Sequence, residues 1–281
     1  MSEQPCIFVN HGGGPLPLLG RQPDVASLLS DYRKSRPTPK AILVITAHWI
    51  EDSFTVSSGE SHPLLFDYYG FPREAYQYTY NAPGSPQLAH TVRDMLQSAG
   101  LECKEDSKRG WDHGVFVPLK LLYPNGDIPV VALSLQSSLD PQLHIRMGEA
   151  LQPLRRQGVL IVGSGASFHN FDYFFARDEA TRREGLRHSH IWNTYLEETF
   201  TSPSITSNEK LNRLINWFNA PSAREAHKKG QEEHLIPLHV LYGAGKQGKC
   251  RRIGGISPAD EIAMANFEWS ESENIVEGRS L

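Results

Sequence analysis

Cysteine is scarce in this sequence: 281 residues contain three, Cys6, Cys103 and Cys250, an odd number spread far apart. They make neither a CxxC zinc pair nor a disulfide framework, which suits a reducing compartment. No apolar run approaches the roughly 20 residues of a membrane span. The opening Met1-Ser2-Glu3-Gln4-Pro5 lacks a basic segment leading into an apolar one, so the expected location is cytoplasmic. A net charge of −4 offers no positive field to nucleic acid or to an anionic membrane, and neither is expected as a partner. There is no internal repeat and no Gly/Ser linker. Residues 1–281 are therefore expected to form one domain, working as a monomer or small homo-oligomer.

Two familiar catalytic loops are also missing. His11-Gly12-Gly13-Gly14 has the form of an esterase oxyanion loop, but that chemistry needs a GxSxG nucleophile elbow, and the chain has none. Val162-Gly163-Ser164-Gly165 resembles a dinucleotide loop, yet Phe168 stands where the third glycine belongs. These glycines are read instead as sharp backbone turns beneath a metal or ligand.

What the chain does have is a set of short apolar runs. Cys6–Asn10, Lys40–Ala47, Asp127–Leu135 and Gly158–Gly163 are β-branched and do not alternate with polar residues. Such runs suit strands covered on both faces, as in a mostly parallel sheet. Phe54–Ser58 is a weaker strand. Helical patterns lie between them, near residues 24–34, 85–99, 116–122, 141–156, 179–199 and 232–242. The fold class is therefore α/β, a mostly parallel central sheet with helices on both faces. The segment 62–86 is long, aromatic and rich in proline and glycine, as a cover over a site would be. Residues 201–209 read as a flexible surface segment.

Histidine is the abundant residue, with 12 in the chain. Three share one structural address. His11 and His48 each follow a strand directly, and His169 follows a third after a short turn. In open α/β sheets the ligand crevice lies beyond the carboxyl ends of the strands, and neutral imidazole is the commonest metal ligand. A metal site at that edge is the natural reading. His234, opening a late apolar helix after Glu232-Glu233, can reach the same edge. His113, after Trp111-Asp112, is either an acid–base group or a bystander beside a helix-capping aspartate. His62, His90, His144, His188, His190 and His239 have no comparable address.

With these residues in view, the chain resembles the class III extradiol ring-cleavage dioxygenases, in particular their DOPA 4,5-dioxygenase-like branch. The resemblance rests on Val9-Asn10-His11-Gly12-Gly13-Gly14-Pro15, Thr46-Ala47-His48-Trp49, Gly110-Trp111-Asp112-His113-Gly114, Gly163-Ser164-Gly165 through His169-Asn170, and Ala226-His227 through Glu233-His234-Leu235-Ile236-Pro237-Leu238. It implies one divalent metal ion, Fe(II) for ring cleavage or Zn(II), held by His11, His48 and His234. His169 would be a fourth ligand or the catalytic acid–base. His113 and His227 would meet the substrate, a catechol cleaved with dioxygen. Many relatives use two histidines and a glutamate, which leaves Glu233 as the rival to His234. An all-histidine set also suits zinc, so a zinc hydrolase or amidohydrolase is the competing activity, and a non-catalytic metal protein the third.

Overall fold

The four strong apolar runs become the four central strands of one sheet. In the computed structural model, which describes residues 3–246, 248–254 and 261–271, the chain forms β1 (Cys6–Asn10), α1 (Pro23–Lys34), β2 (Ala41–Glu51), β3 (Phe54–Ser57), α2 (Pro86–Ser98), β4 (Cys103–Asp106), α3 (His113–Leu122), β5 (Val130–Gln136), α4 (Pro141–Leu151) and β6 (Val159–Gly165). There follow α5 (Phe171–Phe174), α6 (Glu179–Thr201), α7 (Ser207–Ile215), α8 (Ala223–Ala226), α9 (Ile236–Gly245), β7 (Lys249–Ile253) and β8 (Asn266–Ser270). The strand order is β4-β3-β5-β2-β6-β1-β8-β7. The inner four, β5, β2, β6 and β1, are mutually parallel, while β3 and β8 join them antiparallel.

Alternation along the inner strands feeds two cores. Phe8, Leu43, Ile45, Ile161 and Leu133 face a layer of α2, α4, α6 and α9. Ile7, Val9, Ile42, Val44, Leu160 and Val162 face α1, α3 and the aromatic segment. Both faces are thus covered, which is why these strands carry no polar alternation. Local signals set the helix starts: Ser85 and Asp140 accept the Leu88 and Leu143 N–H groups, each with proline at the first helical position.

Several boundaries differ from the sequence reading. β2 does not stop at Ala47 but continues to Glu51, with its pairing to β5 interrupted between Ile45 and Ile50. His48 therefore lies inside an irregular strand, where a bulge can re-aim a side chain. The last helix starts at Ile236 rather than Glu232, since Pro237 is tolerated only in its first turn, and His234 sits in the turn before it. The segment 201–209 is not one surface loop: α6 runs to Thr201, and Thr206 caps α7 by accepting the Glu209 N–H. β4, β7 and β8 were not anticipated. They are short outer strands with charged residues, such as Arg251 and Arg252 in β7.

β8 carries an internal charge that no pattern announces. The Glu268 side chain is fully buried and accepts hydrogen bonds from Tyr32 Oη (2.6 Å), Arg36 Nε and Nη2 (2.9 and 2.6 Å) and Arg251 Nε (2.9 Å). Burial alone would raise its pKa, but the bonds from Arg251, Tyr32 and Arg36 outweigh it and hold the carboxyl below its ordinary value. A depressed carboxylate contributes stability above its unfolded value and loses it as pH falls through the folded one. Glu268→Gln is expected to cost about 3 kcal/mol in urea unfolding at neutral pH, the scale of a broken buried pair. The gap to the wild type should narrow as the pH drops below the ordinary carboxylate range. A gap that stays constant into acid would show that Glu268 acts by packing alone.

Candidate metal centre

Three imidazoles meet at the carboxyl edge of the inner strands. His48 Nε2 lies 3.2 Å from His11 Nε2 and 3.3 Å from His234 Nε2. His11 comes from the end of β1, His48 from the irregular part of β2, and His234 from the turn before α9. His11 and His234 are buried, and His48 is partly exposed. Two local features make the approach possible. Gly12 turns the chain in the left-handed region (φ +81°), where a Cβ would stand 2.4 Å from Pro17 Cγ. Gly165 lets the His234 turn lie against β6: its Cβ would fall 2.1 Å from the His234 carbonyl oxygen, which accepts the Ala166 N–H at 3.0 Å. Gly165→Ala is therefore expected to lose about 1–3 kcal/mol of stability, as overpacking does, and to weaken metal binding at the same time. A melting curve with a metal titration reads both. Unchanged metal affinity would mean that the His234 turn is not held by this contact.

The far nitrogens of two of these rings are hydrogen-bonded. His11 Nδ1 is 2.9 Å from Ser164 Oγ, and that hydroxyl donates to the Gly114 carbonyl. With its single proton engaged there, Ser164 accepts from His11, so the His11 proton is on Nδ1 and Nε2 is bare. His234 Nδ1 is 2.8 Å from Glu233 Oε1, which likewise leaves Nε2 bare. His48 Nδ1 is 3.6 Å from Asp67 Oδ2. Hydrogen-bond partners such as those of His11 and His234 fix the tautomer and ring direction of metal-ligating histidines. The rings are also kept neutral. Burial, then the charge that His48 and His113 would bring if protonated, holds His11 well below the usual range. Burial, then His169, does the same for His234, and burial, then His113, takes His48 to about 3.

The donor set fits a divalent cation. His48 Nε2 stands between two bare nitrogens, and one proton there could satisfy one neighbour but not both. Imidazoles sharing a metal at about 2.1 Å in a tetrahedral arrangement stand about 3.4 Å apart, close to the two observed spacings. Glu233, the rival third ligand, is occupied behind His234.

The other sequence candidates divide. His169 stacks on His234, with ring centroids 3.5 Å apart and planes 13° apart, and burial followed by His113 lowers its pKa to about 4. It stands beside the three converging nitrogens, grouped with Glu233 and His234 rather than with His11 and His48. His113 opens α3, its ring 3.9 Å from that of His48 and 5.9 Å from that of Tyr68. Asp112 precedes the helix but does not cap it; its carboxylate takes Thr46 Oγ1 (2.8 Å) and Arg109 Nη2 (3.1 Å). The aromatic segment does cover this side: Phe66 and Tyr68 pack on Phe116 of α3.

His227 needs correction as a substrate contact. It is fully buried between Trp192 and Trp217, and its Nε2 is bonded to the Ser167 carbonyl at 2.9 Å. It backs the turn that carries His169, whose N–H donates to the Ala226 carbonyl. His144 and His239 are structural as expected, each bonded to a backbone carbonyl. Sequence reasoning missed Ser164 and Asp67 as partners of the histidines. Ser164, at least, lay in a segment already singled out for its glycines.

A model of the family described as the catalytic LigB subunit of aromatic ring-opening dioxygenase matches residues 23–255. The chain belongs to that family and is a metal-dependent extradiol ring-cleaving dioxygenase. Among relatives, it is 38% identical to the 4,5-DOPA dioxygenase extradiol of Beta vulgaris, over 95% of this chain and 96% of that one. It is 39% identical to the dioxygenase tasH of Hapsidospora irregularis, over 88% and 80%. A crystal structure of an uncharacterized Escherichia coli K12 protein superposes with a TM-score of 0.68 at 25% identity, covering 94% of this chain and 99% of that one.

Proposed function

We propose that His11, His48 and His234 hold one Fe(II) ion and that the substrate is a small catechol, DOPA or a relative of it. The observation that carries this reading is the His48 Nε2 atom set between two bare imidazole nitrogens at 3.2 and 3.3 Å. Iron is preferred because zinc has no redox chemistry. The bound metal would supply a Lewis-acidic, redox-active centre where catechol and dioxygen meet. The chain supplies the rest. Phe66 and Tyr68 wall a planar ring on the His113 side, and His169 and His113 flank the ligand set as proton carriers. His169 serves as acid–base group rather than ligand, in keeping with its stacking on His234. The DOPA assignment is supported by the name of the beet relative. A reducing cytoplasm suits both the ferrous ion and the free thiols of Cys6, Cys103 and Cys250.

The test is anaerobic reconstitution with Fe(II), then oxygen and a catechol panel including DOPA. Oxygen uptake with a yellow ring-fission product is expected, and a Zn(II)-loaded sample should be inactive. Ester or amide turnover by the zinc form without oxygen would overturn the reading in favour of a hydrolase.

A further inference from the structure

The two histidines that flank the ligand set are not held alike. Asp67 Oδ1 accepts both the backbone N–H of His113 (2.9 Å) and its Nδ1 (2.8 Å). The Nδ1 bond places the ring proton on Nδ1, because an ionised carboxylate can only accept. The lone pair is then on Nε2, which has no hydrogen-bond partner among the described residues. Asp67 also reaches His48 Nδ1 through its second oxygen at 3.6 Å. His169 lacks such a clamp. Its nearest carboxylate oxygen, Glu233 Oε1, is 4.0 Å away and is already bonded to His234.

We infer that Asp67 is the positioning residue that fixes the tautomer and ring direction of His113, so that this proton carrier presents a bare Nε2 beside the ligand set. The inference rests on the reading that a catechol binds beside His11, His48 and His234. In the step assigned here the substrate O–H bond breaks, its electron pair stays on oxygen, and the proton goes to His113 Nε2. The resulting imidazolium keeps its Nδ1–H bond to Asp67, whose carboxylate stabilises it without taking the proton, as the aspartate of a serine-protease triad does. The aromatic cover thus contributes chemistry as well as a wall, since Asp67 lies between Phe66 and Tyr68.

Asp67→Asn keeps the shape of the acceptor and removes its charge. It is expected to retain metal and anaerobic catechol binding, and to lose about 100-fold or more in kcat. His113→Gln should lose at least as much, and the double variant no more than His113→Gln alone, because the two act as one unit. A structural role for Asp67 predicts losses that add, and additive losses would overturn the inference. A second measurement needs neither a variant nor turnover. In the Zn(II)-loaded wild type, 15N NMR of His113 should show a protonated Nδ1 and a bare Nε2, and the opposite tautomer also overturns the inference. If the Fe(II) wild type cleaves no catechol, the functional reading fails instead, and the tautomer still reports on the Asp67–His113 pair.

Discussion

Replacing His11, His48 or His234 by alanine, one at a time, is expected to leave a folded protein with little bound metal and ring cleavage at background. Each residue supplies one of three nitrogens that converge from separate elements, so its loss leaves an incomplete site. His11 and His234 are buried, but their rings turn toward one another and His48 at the carboxyl edge of the sheet. Circular dichroism should therefore change little while metal content by elemental analysis collapses. Glu233→Gln is the contrasting case. It removes the charge behind His234 but no ligand, and loss of such a partner lowers affinity about 10- to 100-fold. The variant should fill at high metal concentration and empty on dilution. Full metal occupancy in any alanine variant would remove that histidine from the set, and metal retention by His234→Gln together with its loss from Glu233→Gln would exchange the two roles.

His169→Ala separates binding from chemistry. The ring stacks on His234 at 3.5 Å without joining the convergence of His11 and His48. The variant is therefore expected to keep most of its Fe(II) and to bind catechol anaerobically, seen as a shift in catechol absorbance. Ring cleavage should fall about 100- to 10,000-fold, the usual contribution of a positioned acid–base group. Near-normal turnover ends the acid–base assignment. An empty site would make His169 chiefly a ligand.

The strands of the inner sheet were legible because burial on both faces writes a continuous apolar run into the sequence, as in Leu43-Val44-Ile45. The addresses of His11 and His169 followed from those strands. The outer strands were illegible for the complementary reason. β7 is largely charged, and β8 hides Glu268 among apolar neighbours, where only the partners Tyr32, Arg36 and Arg251 make it tolerable. The partners of the histidines escaped notice as well. Ser164 and Asp67 act through individual side-chain hydrogen bonds to distant residues, which leave no periodicity. His227 was carried over as a substrate contact from the resemblance, and a short matching segment says nothing about ring direction: its ring turns inward to Ser167.

The separations between the three proposed ligands carry a thermodynamic consequence. His11 and His48 are 37 residues apart, and His48 and His234 are 186 apart. A disordered chain therefore presents three nearly independent imidazoles, and only the assembled sheet presents a chelate. Metal binding is then linked to folding: an ion at 100 times its dissociation constant favours the native form by about 2.7 kcal/mol. A shortage of metal would act twice, by leaving sites vacant and by enlarging the unfolded fraction open to proteolysis. An ion held by these three histidines would confer reactivity and also cross-link distant parts of the sequence, so that its supply would set how long the protein persists.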